Sequence, residues 1–177
     1  MSLLIHTVGH STRSAEEFVA LMREFGIERV ADVRTVPRSR HNPQFDISVM
    51  PEWLSDAGIA YEHMPELGGF RRTTPDSPNL GWHGNAFRGY ADYMQTPEFA
   101  AAIDHLVVEA RQSVVTVMCA EAVPWRCHRS LIGDALVVRG ITVNDIIGPA
   151  SARPHRLTAF AKVDGELLTY PPEFSSR

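Results

Sequence analysis

Ser113-Val114-Val115-Thr116-Val117-Met118-Cys119-Ala120-Glu121-Ala122-Val123-Pro124-Trp125-Arg126-Cys127-His128-Arg129 reads as a buried strand, a short turn and the start of a helix. Val114–Met118 carries the near-continuous apolar run of a central parallel strand, covered on both faces. The turn after it gathers both cysteines of the chain, a carboxylate, two arginines and a histidine. Open α/β sheets build their sites from polar side chains placed just past the carboxyl end of a buried strand.

Working outward, the same alternation recurs. Leu3–Val8 reads as a first strand ending in Gly9-His10-Ser11. Ser14-Ala15-Glu16-Glu17 matches a capping box, and the helix it opens places Phe18, Leu21, Met22 and Phe25 on one face before Gly26. Arg29–Arg34 reads as a second strand, Met50–Ala57 as a short helix and Ile59–Met64 as a third strand. Pro65–Gly89 reads as a long irregular segment, and loops of that length in a small domain tend to carry function. Tyr90–Met94 leads into a helix over Pro97–Arg111, a second helix spans His128–Arg139, and Ile141–Ile147 is the fifth strand. Asp164-Gly165 between Phe160–Val163 and Glu166–Tyr170 signals a hairpin. The expected architecture is a single three-layer α/β/α domain over residues 1–177 with a mainly parallel, Rossmann-like sheet. Residues 1–150 form its core, and 151–177 a C-terminal extension with the hairpin.

Composition agrees with a globular protein. The chain has 177 residues, enough for one domain with a core, and 44% hydrophobic against 21% charged residues. No apolar run approaches the ~20 residues of a membrane span, and the N-terminus lacks the pattern of a signal peptide, so a cytoplasmic protein is expected. Two cysteines are too few for a disulfide framework, and in a reducing compartment both stay thiols. The net charge of −4 does not recruit nucleic acid. Lys162 is the only lysine, so positive charge is carried by arginine, whose fork suits two-point contacts to phosphate or carboxylate. Codon bias in a GC-rich genome accounts for the same excess.

With parallel strands, Gly9-His10-Ser11, Arg34–Arg40, Glu66-Leu67-Gly68-Gly69 and Cys119–Arg129 all fall on one rim. These segments resemble the bacterial and archaeal domain of unknown function 488 family. The resemblance rests on Thr7-Val8-Gly9-His10-Ser11, Asp32-Val33-Arg34, Pro37-Arg38-Ser39-Arg40, Leu67-Gly68-Gly69, Cys119-Ala120-Glu121 and Cys127-His128-Arg129, in that order over nearly the whole chain. It supports the fold and the rim as the site. The family's name states no activity.

Three chemistries compete for that rim. Cys119, at a strand end before a helix N-terminus and near guanidinium groups, is the better nucleophile, though a buried cysteine also serves as a small hydrophobe. Cys119 to Arg126 superficially resembles the cysteine-to-arginine loops of phosphatases and rhodaneses, but is one residue longer than the phosphatase spacing and lacks glycine. Metal binding by Cys119, Cys127, His128 and His10 lacks a zinc spacing, and no metal ligand is assigned. Anion binding suits Arg34, Arg40 and Arg129, with Ser11, Gly68 and Gly69 supplying polar or backbone contacts. Arg129 pairing with Glu121 or Asp32 is the structural alternative. Glu121 is the preferred acid/base among Asp32, Glu66 and Glu121, and His10 is a base or an orienting group. Trp82, His83, Phe87 and Tyr90 either stack on a ligand or fill the core.

The leading expectation is a small enzyme acting on a phosphate-bearing, nucleotide-like or other anionic substrate. Its rivals are a non-catalytic nucleic-acid or nucleotide-binding module and a metal- or thiol-dependent protein using Cys119 and Cys127. Cofactor and oligomeric state are not readable from the residues.

Overall fold

A six-stranded sheet runs in the order β3-β2-β4-β1-β5-β6 through the computed structural model, which describes residues 2–172. Its strands are β1 (Leu4–Gly9), β2 (Arg29–Asp32), β3 (Ala60–His63), β4 (Val115–Cys119), β5 (Thr142–Gly148) and β6 (Ser151–Pro154). The first five are mutually parallel, and β6 closes the edge antiparallel to β5. A separate hairpin of β7 (Lys162–Asp164) and β8 (Leu167–Thr169) turns at Asp164-Gly165, as the sequence signals. The five residues after 172 assigned to the C-terminal extension lie outside the described residues.

The helices divide between the two faces by strand alternation. Val8, Val30, Met118 and Ile146 pack against α1 (Ala15–Glu24) and α2 (Met50–Asp56). Their neighbours Ile5, Ala31, Val117, Cys119 and Val143 point the other way, into the core with α3 (Asn85–Tyr93), α4 (Pro97–Gln112) and α5 (Arg129–Val137). Ser14 caps α1 in the expected reciprocal box with Glu17. Adjacent strands β1 and β4 therefore send their chains to opposite faces, β1 into α1 and β4 into α5.

Two elements differ from expectation. Helix α3 begins at Asn85, inside the segment read as irregular, and is separate from α4. Gly89 sits in its middle because the Arg71 carbonyl approaches too closely for any Cβ. Strand β6 falls within the expected C-terminal extension, yet it joins the main sheet; its Pro154 is tolerated because the strand is an edge. The long segment before α3 is anchored by Asp92, which accepts from Thr74 N (2.8 Å), Ser77 Oγ (2.6 Å) and Asn79 Nδ2 (2.7 Å). Among the described residues no helix is long and apolar enough to cross a membrane.

Candidate functional site

A cavity of about 360 Å³ opens at the carboxyl ends of β2, β3 and β4. The chain after β2 contributes Arg34, Thr35, Val36 and Arg38; that after β3 contributes Gly69 and Phe70; α3 adds Ala86 and Phe87. The remaining wall is Cys119, Ala120 and Glu121 at the end of β4, and Arg126, Cys127 and His128 before α5. A second cavity of about 550 Å³ lies beyond the Pro124–Arg126 turn, lined by Trp125, Arg153 and His155, and none of the rim cysteines reaches it.

The turn after β4 is held by β1. His10 N donates to the Cys119 carbonyl (2.9 Å) and Ser11 N to the Ala120 carbonyl (3.0 Å), extending the ladder past the strands. Gly9 lets the Glu121 carbonyl come against its Cα, where a side chain would overlap it. Of Ser11, the backbone N–H makes this contact, at a φ of +52°. Gly68 is packed against Thr35, whose Oγ1 would lie 2.5 Å from a Cβ there, and Gly69 stands beside the His128 ring.

Cys119 is 1% exposed and Cys127 8%, both as free thiols. Burial opposes ionisation of Cys119. Its thiol donates to the Glu121 carbonyl at 3.6 Å, but the neighbouring Cys127 thiol and the Arg129 guanidinium outweigh burial and bring the pKa down to about 7. Cys127 moves the opposite way, held protonated by the neighbouring Cys119 thiol and by burial. Its sulfur also lies 3.4 Å from His128 Nδ1. The Val33 carbonyl, 3.0 Å from Nε2, fixes the ring hydrogen there, so Nδ1 is the acceptor. Burial keeps His128 neutral, with its pKa lowered to about 4.

Arg129, expected on the anion, is fully buried behind Cys119. It donates to Thr7 Oγ1 (2.9 Å) and to the backbone carbonyl of Glu121 (3.1 Å), not to the Glu121 or Asp32 carboxylate. Thr7 passes its own hydrogen to Asp145 (2.5 Å). His155 then bridges Asp145 (Nδ1, 2.8 Å) and Asp134 (Nε2, 2.9 Å), and Asp134 also accepts from Tyr170 OH (2.8 Å) and Thr158 Oγ1 (2.6 Å). Burial alone would lower the His155 pKa, but hydrogen bonds to Asp134 and Asp145 raise it to about 9. The buried row alternates in sign, Arg129, Asp145, His155, Asp134, which offsets the desolvation of each charge. Its Arg129 end holds the Glu121 carbonyl and places its charge near Cys119. Nothing local in the sequence marks it, because its members are scattered from Thr7 to Tyr170.

Arg34 lines the cavity and is tied on its other side to Asp32 (2.9 and 2.7 Å) and to the Phe45 carbonyl (2.8 Å). Tyr61 OH donates to the same Asp32. His10 stacks on Phe45 at 4.2 Å and, with its Nδ1 hydrogen on the Ser11 carbonyl, turns Nε2 toward Arg34 at 3.4 Å. Burial lowers its pKa to about 4, so it supports Arg34 as a neutral ring. Arg38 and Arg126 are exposed at the cavity's edge, whereas Arg40 is exposed but does not line it. Glu121 is exposed at the mouth rather than buried. Of the aromatics, Tyr90 is core and donates to the Leu67 carbonyl, and Trp82 stacks on Phe87 at 4.9 Å. Among the described residues the one grouping of metal-ligating side chains is Glu62, His105 and Glu109, away from this cavity, with Arg29 paired to both glutamates.

Residues 14–136 match the family described as Domain of unknown function DUF488. The chain belongs to the DUF488 family. No curated protein and no solved structure matches it. The DUF488 match takes in β2, β3 and β4, hence every residue that lines the cavity, and ends inside α5. Asp145, His155 and Tyr170, which complete the buried row, lie beyond the matched stretch.

Proposed function

We propose that this DUF488 protein is a small thiol-dependent enzyme acting on an anionic substrate, phosphate-bearing or nucleotide-like. One observation carries the reading: Cys119 faces a cavity edged by Arg34, Arg38 and Arg126, while the buried Arg129 supports its charge from behind. The arginines at the mouth orient the anion. Phe70 and Phe87 cover the apolar part of the substrate. The Cys119 thiolate attacks the electrophilic atom so positioned, and Glu121 exchanges a proton with the leaving group at the mouth. His10 keeps Arg34 in place rather than moving a proton. The net charge of −4 and the exposed Glu121 carboxylate at the cavity mouth favour a small molecule over nucleic acid. We assign the activity to a reducing cytoplasm, where both cysteines stay thiols.

Calorimetry and thermal shift against phosphate, sulfate, sugar phosphates and nucleotides test this. An anion at ~100 times its Kd stabilises the fold by about 2.7 kcal/mol. Arg38→Ala and Arg126→Ala are expected to abolish the shift, and Cys119→Ser to keep it. A chain that responds to no anion, with the arginine variants unchanged, contradicts the proposal.

A further inference from the structure

Cys119 and Cys127 are buried free thiols that line the same cavity, each shifting the other's ionisation, and are joined by a turn whose one regular element is Pro124–Arg126. Eight positions apart in sequence, they are brought together because the chain leaves β4, loops out and re-enters at α5. The two sulfurs are not equivalent. The Arg129 charge favours the Cys119 thiolate, while Cys127 keeps its hydrogen, directed at the neutral His128 Nδ1 3.4 Å away. A readily ionised thiol and a second, protonated thiol lining one cavity are the arrangement of an attacking and a resolving cysteine.

We propose that Cys119 and Cys127 form a redox-active dithiol that reduces small hydroperoxides and closes to an intramolecular disulfide. The Cys119 thiolate attacks the distal oxygen of the hydroperoxide. An S–O bond forms, the O–O bond breaks, and the alkoxide or hydroxide leaves with a proton from solvent. Cys119, now a sulfenic acid, has lost two electrons to the peroxide. The Cys127 sulfur then attacks the Cys119 sulfur; the S–S bond forms, the S–O bond breaks, and the departing hydroxide takes the Cys127 proton as water. The dithiol and hydroperoxide become a disulfide, an alcohol and water, and an external thiol returns the pair to its starting state. The sulfurs must close to the ~2.05 Å of a disulfide bond, a movement the irregular turn permits. The cavity admits hydrogen peroxide and small alkyl hydroperoxides, and Phe70, Phe87 and Val36 give it an apolar wall.

This activity does not depend on the anion reading, since no arginine at the mouth takes part in the two steps. The test uses the full chain, reduced with dithiothreitol, desalted and mixed with one equivalent of hydrogen peroxide at pH 7. Expected are an intact mass lower by two hydrogens, a Cys119–Cys127 crosslinked peptide, and oxidation on the order of ten-fold faster than free cysteine, as the larger thiolate fraction implies. Cys127→Ser, checked for folding by circular dichroism, stops at a Cys119 sulfenic acid trapped by dimedone and still binds anions if the cavity is an anion site. Cys119→Ser reacts no faster than free cysteine. If Cys127→Ser does not fold, the crosslinked wild-type peptide decides. Oxidation of the wild type at the rate of free cysteine, or of Cys119 to sulfinic acid with no crosslink, overturns the proposal. A disulfide that forms in a protein blind to every anion leaves this inference standing and removes the anion reading alone.

Discussion

Gly9 lies against the carbonyl of Glu121 with no room between them for a Cβ. The contact seats the turn after β4 on the end of β1, and the same carbonyl accepts from the buried Arg129. Gly9→Ala must therefore push the turn outward. The cost expected of such overpacking is about 1–3 kcal/mol, visible as a lower urea midpoint. The alkylation rate of Cys119 should fall with it, because Arg129 loses its hold on the turn. A fully stable Gly9→Ala protein with unchanged Cys119 reactivity would show that the turn is not seated this way.

Stability should fall on both sides of a maximum near pH 6.5. His10 and His128 have folded pKa values depressed to about 4 by burial. Their contribution is present above the unfolded value of 6.5 and is lost as pH falls from there through 4. His155 is raised to about 9, so its contribution is full below 6.5 and lost as pH rises through 9. Cys119, depressed to about 7, acts in the opposite sense over the same alkaline range, gaining as pH rises. Urea titrations from pH 4 to 9 check the curve. In His155→Gln the alkaline decline should disappear, on a lower baseline, because Asp134 and Asp145 remain buried without their shared cation. A decline unchanged in that variant would mean that His155 is not its source.

Asp92 should matter more to the segment between Arg72 and Leu80 than to the cavity. Its carboxylate accepts from Thr74, Ser77 and Asn79, and Asn79 in turn accepts from the Tyr170 backbone N–H at 2.8 Å. Asp92→Ala strands these donors, at ~1–3 kcal/mol for each one left buried. Limited proteolysis should then cut within residues 72–80, where the wild type resists, while Cys119 alkylation stays within two-fold. Equal protease resistance would remove the role given to Asp92.

The parts of the fold readable from sequence were those with a local pattern. Val114–Met118 and Leu3–Val8 show their burial in apolar runs, Ser14 and Glu17 announce a helix start, and Asp164-Gly165 a hairpin. The parallel order of the strands was enough to gather the segments holding Arg34, Gly69 and Cys119 on one rim. What stayed hidden depends on contacts between distant positions. Gly89 looks like a helix breaker until the Arg71 carbonyl is seen beside it. Asp134, Asp145 and His155 share no spacing, and their meeting is a product of α5, β5 and the edge strand β6 packing together. Arg129 stands beside Cys127-His128 in sequence, which gave it the look of a ligand grip; helix geometry turns it inward to Thr7. Glu121, expected inside the turn, faces out because its backbone carbonyl is the inward group.

The reactivity of the cavity depends first on the charge state of Cys119. The direct measurement is the rate of Cys119 alkylation by iodoacetamide between pH 5 and 10, assigned by peptide mass and run without added anions. The rate should be half-maximal near pH 7, below the ~8.5 of a free cysteine, with Cys127 unreactive over the same range. A Cys119 that reacts with a midpoint at or above 8.5, or a Cys127 that reacts first, would contradict this.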